Sequence, residues 1–276
     1  MKRATELAPE SGGWWLNLSD MYRYGTGTEK NLAKTVECYE KGVQFGNSWA
    51  ANRLGVMYAK GEYVEQNPRK AFELYKQAVE LDDFNINTAA MKNLAYYYLN
   101  GIVTEKNPAL AFKYFKQAAE AGDVDAMEIT ADMFIGGEGT RKDEYESFRW
   151  LKKSVDEGNT DGVAIRILAT CYRYGTGTPK DPVKAIPLFY QAADAGNIDS
   201  IITMGELFRN GEGVDKNFKE ALRYFQRAAN EGYAEAMNSI ALIYDQGGYG
   251  VAQDEQVAFQ WFKNPLRRAI PTACRI

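Results

Sequence analysis

The chain has 276 residues, 45% of them hydrophobic and 25% charged, a formal net charge of −4, and not one histidine. Such a composition belongs to a folded protein with an extensive core, and its acidic balance argues against broad electrostatic attraction to nucleic acid or anionic membrane. The missing histidine removes Ser-His-Asp and Cys-His nucleophile systems, imidazole-built zinc sites and histidine acid–base chemistry.

The first residues, MKRATELAPESGG, carry two basic side chains with no apolar run behind them. They do not read as a secretory signal, which leaves cytoplasm and periplasm both open as the compartment. No run of about 18 apolar residues follows anywhere, so no membrane insertion is expected. Arg3–Ala8 matches the closing part of a helix, and residues 1–13 are read as a cap or the remnant of an earlier repeat. From there an aromatic followed three residues later by glycine recurs at Tyr22/Gly25, Tyr58/Gly61, Tyr98/Gly101, Phe134/Gly137, Tyr172/Gly175, Phe208/Gly211 and Tyr244/Gly247, at intervals of 36, 40, 36, 38, 36 and 36. A period of this length signals a stacked-repeat architecture. The repeats fall at 14–47, 48–83, 89–123, 125–159, 161–197, 199–233 and 234–270, with a tail at 271–276, in one continuous solenoid over residues 1–276.

Each repeat reads as two helices. In the first, apolar or small residues lie at offsets −8, −4, −3 and 0 from the anchoring aromatic, as in Ala50, Leu54, Gly55 and Tyr58. That spacing defines one helical face. Small residues at −3 (Ser19, Gly55, Ala95, Ala131, Ala169, Gly205, Ala241) leave room for a second helix to approach closely.

The second helix starts at Asn31, Asn67, Asn107, Asp143, Asp181, Asn217 and, in a loop one residue longer, Asp254. These residue types cap helices because a side-chain oxygen accepts from an unpaired N–H of the first turn. Pro68, Pro108 and Pro182 follow at the first helical position, where the missing N–H costs nothing. Offsets +4, +8, +11 and +12 from the cap form the second apolar face, for example Ala71, Tyr75, Ala78 and Val79. Gly46, Gly122, Gly158, Gly196 and Gly232 then close most second helices. The extra residues near Asp83–Thr88 and Asn159–Asp161 belong in turns between repeats. Pro265 stands where other repeats have a small core residue, so the last helix is expected to stop early and leave a loose tail.

These residues resemble the Sel1-like repeat, a relative of the tetratricopeptide repeat, with the pattern A-x-x-x-L-G-x-x-Y-x-x-G-x-G-V-x-x-D/N-x-x-K-A-x-x-W/Y-Y/F-x-x-A-A-x-x-G. The sixth repeat reads MGELFRNGEGVDKNFKEALRYFQRAANEG and the third LAYYYLNGIVTEKNPALAFKYFKQAAEAG. The resemblance covers roughly residues 14–270. It implies an all-α fold, a right-handed α-solenoid of about seven helix-turn-helix repeats whose first helices line a concave face. The proteins it is similar to act mostly as adaptors or scaffolds, and they include signalling regulators, host-interaction factors and immunity proteins that occlude secreted toxins. One branch, rich in cysteine, is linked to β-lactam binding or hydrolysis and carries a disulfide in each repeat. Here Cys38, Cys171 and Cys274 are sparse and irregularly spaced, and are read as free buried thiols.

The repeated stretch YRYGTGT, at Tyr22–Thr28 and Tyr172–Thr178, has the look of a phosphate cradle. It follows a helix, however, where a nucleotide fingerprint needs a strand feeding a glycine loop that opens a helix. No G-x-x-x-x-G-K-S/T, G-x-S-x-G or S-x-x-K occurs. The expectation is a non-enzymatic protein with no cofactor, metal or catalytic residue.

What remains once the core is assigned is a second face of each first helix, at offsets −6, −2 and +1. It varies from repeat to repeat where the core does not. Val56, Tyr96, Leu99 and Ile135 form an apolar strip in the second to fourth repeats, Arg166, Arg173 and Arg209 add positive charge later, and Asp132 and Glu206 lie at the same register. Arg23, Tyr24 and Tyr174 project beside them from the two YRYGTGT segments. An aromatic and aliphatic centre flanked by arginine suits a protein or peptide partner rather than nucleic acid.

Overall fold

The computed structural model describes residues 11–81 and 86–268. The expected helical match at Arg3–Ala8, part of the turn near Asp83 and the tail at 271–276 lie outside them, as does Cys274. The fold is an all-α repeat solenoid. The chain divides into two compact units, Met1–Asp143 and Glu144–Ile276. The first contains α1 (Gly12–Tyr24), α2 (Leu32–Gln44), α3 (Ser48–Lys60), α4 (Pro68–Glu80), α5 (Thr88–Asn100), α6 (Pro108–Glu120) and α7 (Val124–Gly136). The second contains α8 (Glu144–Asp156), α9 (Gly162–Tyr174), α10 (Pro182–Asp194), α11 (Ile198–Asn210), α12 (Phe218–Asn230), α13 (Ala234–Gln246) and α14 (Glu255–Arg268). In each unit a helix packs most closely on its chain neighbour, and in the first unit α1, α3 and α5 also lie side by side.

The turn from first to second helix rests on one residue used twice. The backbone N–H of Asn31, Asn67, Asn107, Asp143, Asp181, Asn217 and Asp254 donates to the carbonyl of Tyr22, Tyr58, Tyr98, Phe134, Tyr172, Phe208 and Tyr244, at 2.7 to 2.9 Å. At Asn31, Asn67, Asn107, Asp181, Asn217 and Asp254 the side chain also accepts from the first turn of the second helix. A carbonyl left over at one helix end and an N–H left over at the next are thereby both satisfied. The first helices carry a second set of caps that the period does not single out: Asn47, Asn87, Asp123, Asp161 and Asn197 accept from Ala50, Ala90, Ala126, Val163 and Ser200. Their signal in the sequence is Asn or Asp directly after the glycine that ends the preceding helix, at Gly46, Gly122 and Gly196.

Packing follows from small residues facing rings. Tyr39, Tyr75, Phe115, Phe189 and Phe225, each eight residues past a cap, are fully or almost fully buried, and Leu151 takes the same place in α8. A Cβ at Gly55 would stand 2.7 Å from the Tyr75 ring, and one at Gly205 would stand 2.6 Å from the Phe225 ring. The missing side chain is therefore what lets the ring seat. In the second unit these contacts merge into one core from Ala169 to Ile243, against which Trp261 packs. In the first, the core is a series of smaller clusters between neighbouring helices. Cys38 and Cys171 are free and buried, and burial pushes both thiols up to about 11.

One expectation is corrected. α14 does not stop early but runs through Pro265 to Arg268. Proline holds the helical φ, and what it forfeits is a single N–H bond to the carbonyl four residues back. The same tolerance is seen in α10, which contains Pro187 and leaves the carbonyl of exposed Val183 without that N–H.

The two glycines of GTG both lie in the left-handed region, at φ 74° and 72° for Gly25 and Gly27. At the second position Gly139 and Gly177 have no room for a side chain, since a Cβ would come within 2.0 Å of the carbonyl oxygens of Pro108 and Glu144. The equivalent residues Tyr63 and Val103 nevertheless take φ of 65° and 57°, with their side chains exposed. Left-handed backbone costs an L-residue roughly 1–2 kcal/mol, and a β-branched one is the worst suited. Val103→Gly is therefore expected to stabilise the fold by about 1 kcal/mol, while Gly139→Ala costs at least about 2 kcal/mol through its clash with backbone. Thermal melting followed by circular dichroism should rank the midpoints Val103→Gly above the parent chain, and Gly139→Ala below it.

Candidate partner-binding face

Each first helix buries the face at offsets −8, −4, −3 and 0, so its opposite flank is left to other uses. In the first unit that flank belongs to α1, α3, α5 and α7. Val56 and Leu99 are half-buried and lean on the cores beneath them, Val56 on the cluster of Phe72, Tyr75, Leu94 and Tyr97, Leu99 on that of Phe115 and Met133. Tyr96 and Ile135 remain 44% and 37% exposed. Tyr96 stands edge-on to Phe115, with ring centroids 5.0 Å apart, which fixes the ring while leaving an outer edge open. Tyr24 is 67% exposed, with the Arg23 guanidinium 5.6 Å from its ring centre.

Polar groups on this flank are mostly committed to one another. Asp20 accepts from the Tyr39 hydroxyl at 3.3 Å and pairs with Arg53 from the next repeat. Arg23 reaches the same hydroxyl at 3.5 Å, a bond that raises its pKa above the usual guanidinium value. Asn93 donates to Asn52 at 2.9 Å, and Lys92 bridges Asp123 and Asp125 at 2.9 and 3.0 Å. Asp132 differs: it is solvent-exposed, without a hydrogen-bond or ion-pair partner among the described residues. Lost hydration from the protein on its flanks nevertheless holds its carboxyl above the ordinary range.

The second unit uses its charges differently. Arg173 is 8% exposed and donates along one edge of its guanidinium to both carboxylate oxygens of Glu212, Nε at 3.1 Å and Nη2 at 2.7 Å, with Glu206 3.9 Å away. The bond holds the Glu212 carboxyl below its usual value and raises the arginine. This arginine thus ties α9 to the loop after α11. Tyr174, 61% exposed, lies beneath its guanidinium at 5.1 Å. Arg166 faces Asp199 at 3.6 Å, and its buried Nε makes no hydrogen bond. Arg209 donates to Ser239 at 3.4 Å and lies over the Phe225 ring at 5.7 Å. Residue spacing places all three arginines on one flank but gives no sign of which is occupied. Glu212, the residue that occupies Arg173, is 39 positions away and sits in a loop.

Among the described residues no helix is long and apolar enough to cross a membrane. A family model described as Sel1 repeat matches residues 16–44, 50–83, 88–123, 124–159, 162–197, 199–233 and 234–264. The chain is similar to chitin synthase regulatory factor 2 of Schizosaccharomyces pombe, 35% identical over 115 residues, covering 40% of this chain and 22% of the relative. It is also similar to chitin synthase regulatory factor 3 of the same organism, 27% identical over 256 residues, covering 90% of this chain and 27% of the relative. The chain thus spans about a quarter of the length of these two relatives. Among solved structures, a protective antigen present in uropathogenic Escherichia coli strains and displaying an SLR fold superposes with a TM-score of 0.85 at 25% identity, covering 98% of this chain and 56% of the other.

The Arg173–Glu212 pair has a pH signature. Because the Glu212 carboxyl is depressed in the folded chain, its contribution is present above the unfolded value of 4.5 and lost as pH falls through the lower folded value. Arg173→Met leaves a partly buried carboxylate alone and should cost about 2 kcal/mol near neutrality. Melting temperatures measured from about pH 6 to about pH 3 should fall less steeply in this variant than in the parent chain.

Proposed function

The chain belongs to the Sel1 repeat family, whose repeats are in general protein-interaction modules, and on that premise we propose that it is a non-catalytic adaptor or scaffold gripping a protein or peptide partner. The partner lies on the concave face that the first helices form, along the flank at offsets −6, −2 and +1. One observation carries this reading: positions −2 and +1 break the uniformity of the repeats and leave Tyr96 and Ile135 exposed beside half-buried Val56 and Leu99. A ring held by its inner edge and open at its outer one is suited to anchoring, since it loses little freedom when a partner covers it.

The first unit is favoured over the second as the gripping surface. Arg173 is spent on Glu212, and Arg209 rests on Phe225 and Ser239, so neither is free to meet a partner without breaking a contact already made. Arg166, Glu206 and Tyr174 then serve as margin rather than centre. The regulatory factors among its relatives are in keeping with an adaptor role. A β-lactam-directed activity draws no support from Cys38 and Cys171, both free.

Tyr96→Asp combined with Ile135→Asp is the direct test, because both side chains are exposed and helicity reports whether losing the Tyr96 edge against Phe115 disturbs the fold. Pull-downs with the parent chain and this variant should show the same proteins lost or weakened about thirtyfold in the variant, at unchanged helicity. Partners retained in full by the variant would refute a grip on this flank.

A further inference from the structure

We propose that the first unit selects a peptide segment carrying an apolar residue and a neighbouring lysine or arginine, the apolar side chain packing among Tyr96, Leu99 and Ile135 and the cation pairing with Asp132. This inference rests on the binding reading above and names the chemistry of the partner.

The repeats provide their own comparison. Acidic residues occupy offset −2 of the first helix three times, as Asp20, Asp132 and Glu206. Asp20 is answered by Arg53 and the Tyr39 hydroxyl, and Glu206 has Arg173 within 3.9 Å. Asp132 alone of the three has no such answer among the described residues. Its own helix, α7, reads VDAMEITADMFIG and contains no lysine or arginine. Lys92 on the neighbouring α5 is already engaged by Asp123 and Asp125. An exposed carboxylate with no internal counter-charge, set beside an apolar strip, is complemented by an external cation through a charge-assisted hydrogen bond.

Asp132 also stands at the end of the apolar strip. From the second to the fourth repeat the −2 column runs Val56, Tyr96, Asp132, and the +1 column Ala59, Leu99, Ile135. Packed helices lie about 8–10 Å apart, and an extended chain advances about 3.3 Å per residue. An anchor seated at Tyr96 therefore puts the cation about three residues away. An anionic segment would meet an unpaired carboxylate instead, so the surface discriminates by charge as well as by shape.

A phage library of random dodecapeptides selected on the parent chain should enrich an aromatic or aliphatic residue with lysine or arginine about three positions from it. A synthetic peptide taken from that selection should bind Asp132→Asn about tenfold more weakly, and lose about the same when its own base is replaced by citrulline or norleucine. Combining both changes should cost no more than either alone. Enriched peptides without a base, or a preference for bases that persists undiminished in Asp132→Asn, would overturn the role of Asp132 while leaving the apolar grip intact. Selection unaffected by Tyr96→Asp would overturn the binding reading itself, and no enrichment over an unrelated helical protein would count against both.

Discussion

The architecture depends on a single backbone hydrogen bond repeated in every turn from first to second helix. The donor is the Asn or Asp that begins the second helix, and the acceptor is the carbonyl of the aromatic that anchors the first. Helix ends are where backbone groups go unpaired, and a short turn between antiparallel helices brings a C-terminus and an N-terminus together. At Asn31, Asn67, Asn107, Asp181, Asn217 and Asp254 the same residue solves both problems, backbone toward one helix and side chain toward the other. The angle between the two helices is thereby fixed before any side chain in the core has been chosen.

With that angle fixed, the core has little freedom. A ring eight residues into the second helix meets the residue three before the anchor in the first, and only a small residue fits beneath it. Cores of this type tolerate few substitutions because their interiors are close-packed. Variation is pushed to offsets −2 and +1, where packing is less demanding. The flank is thus variable for the same reason that the core is uniform, and its residues can change without altering the repeat.

The fold was largely legible in the sequence because both helices advertise themselves locally, through a 3.6-residue apolar face, Asn or Asp at the start and glycine at the end. The caps at Asn47, Asp123 and Asn197 carried the same local signal, but lay outside the turn on which the period was anchored. Pro265 misled because proline is read as a stop, whereas the last helix, like α10 at Pro187, runs on past it with one N–H bond fewer. The candidate face was legible only as a set of positions. Whether an arginine there is free depends on residues such as Glu212, far along the chain and brought near by the fold alone. Register placed Arg173, Arg209 and Asp132 on equivalent flanks, and the structure separates them by what each already touches.

Tyr63 and Val103 sit in the left-handed region where the first, fourth, fifth and sixth repeats have glycine. In a linear array, stability is close to a sum of local and nearest-neighbour contributions, so a strained turn weakens its own repeat more than distant ones. The second and third repeats, which carry Val56, Tyr96 and Leu99, hold those strained turns at the ends of α3 and α5. Val56, Tyr96 and Leu99 are therefore mounted on repeats whose turns carry backbone strain. Amide exchange should be faster at these turns than at those closed by glycine, which gives this flank local compliance.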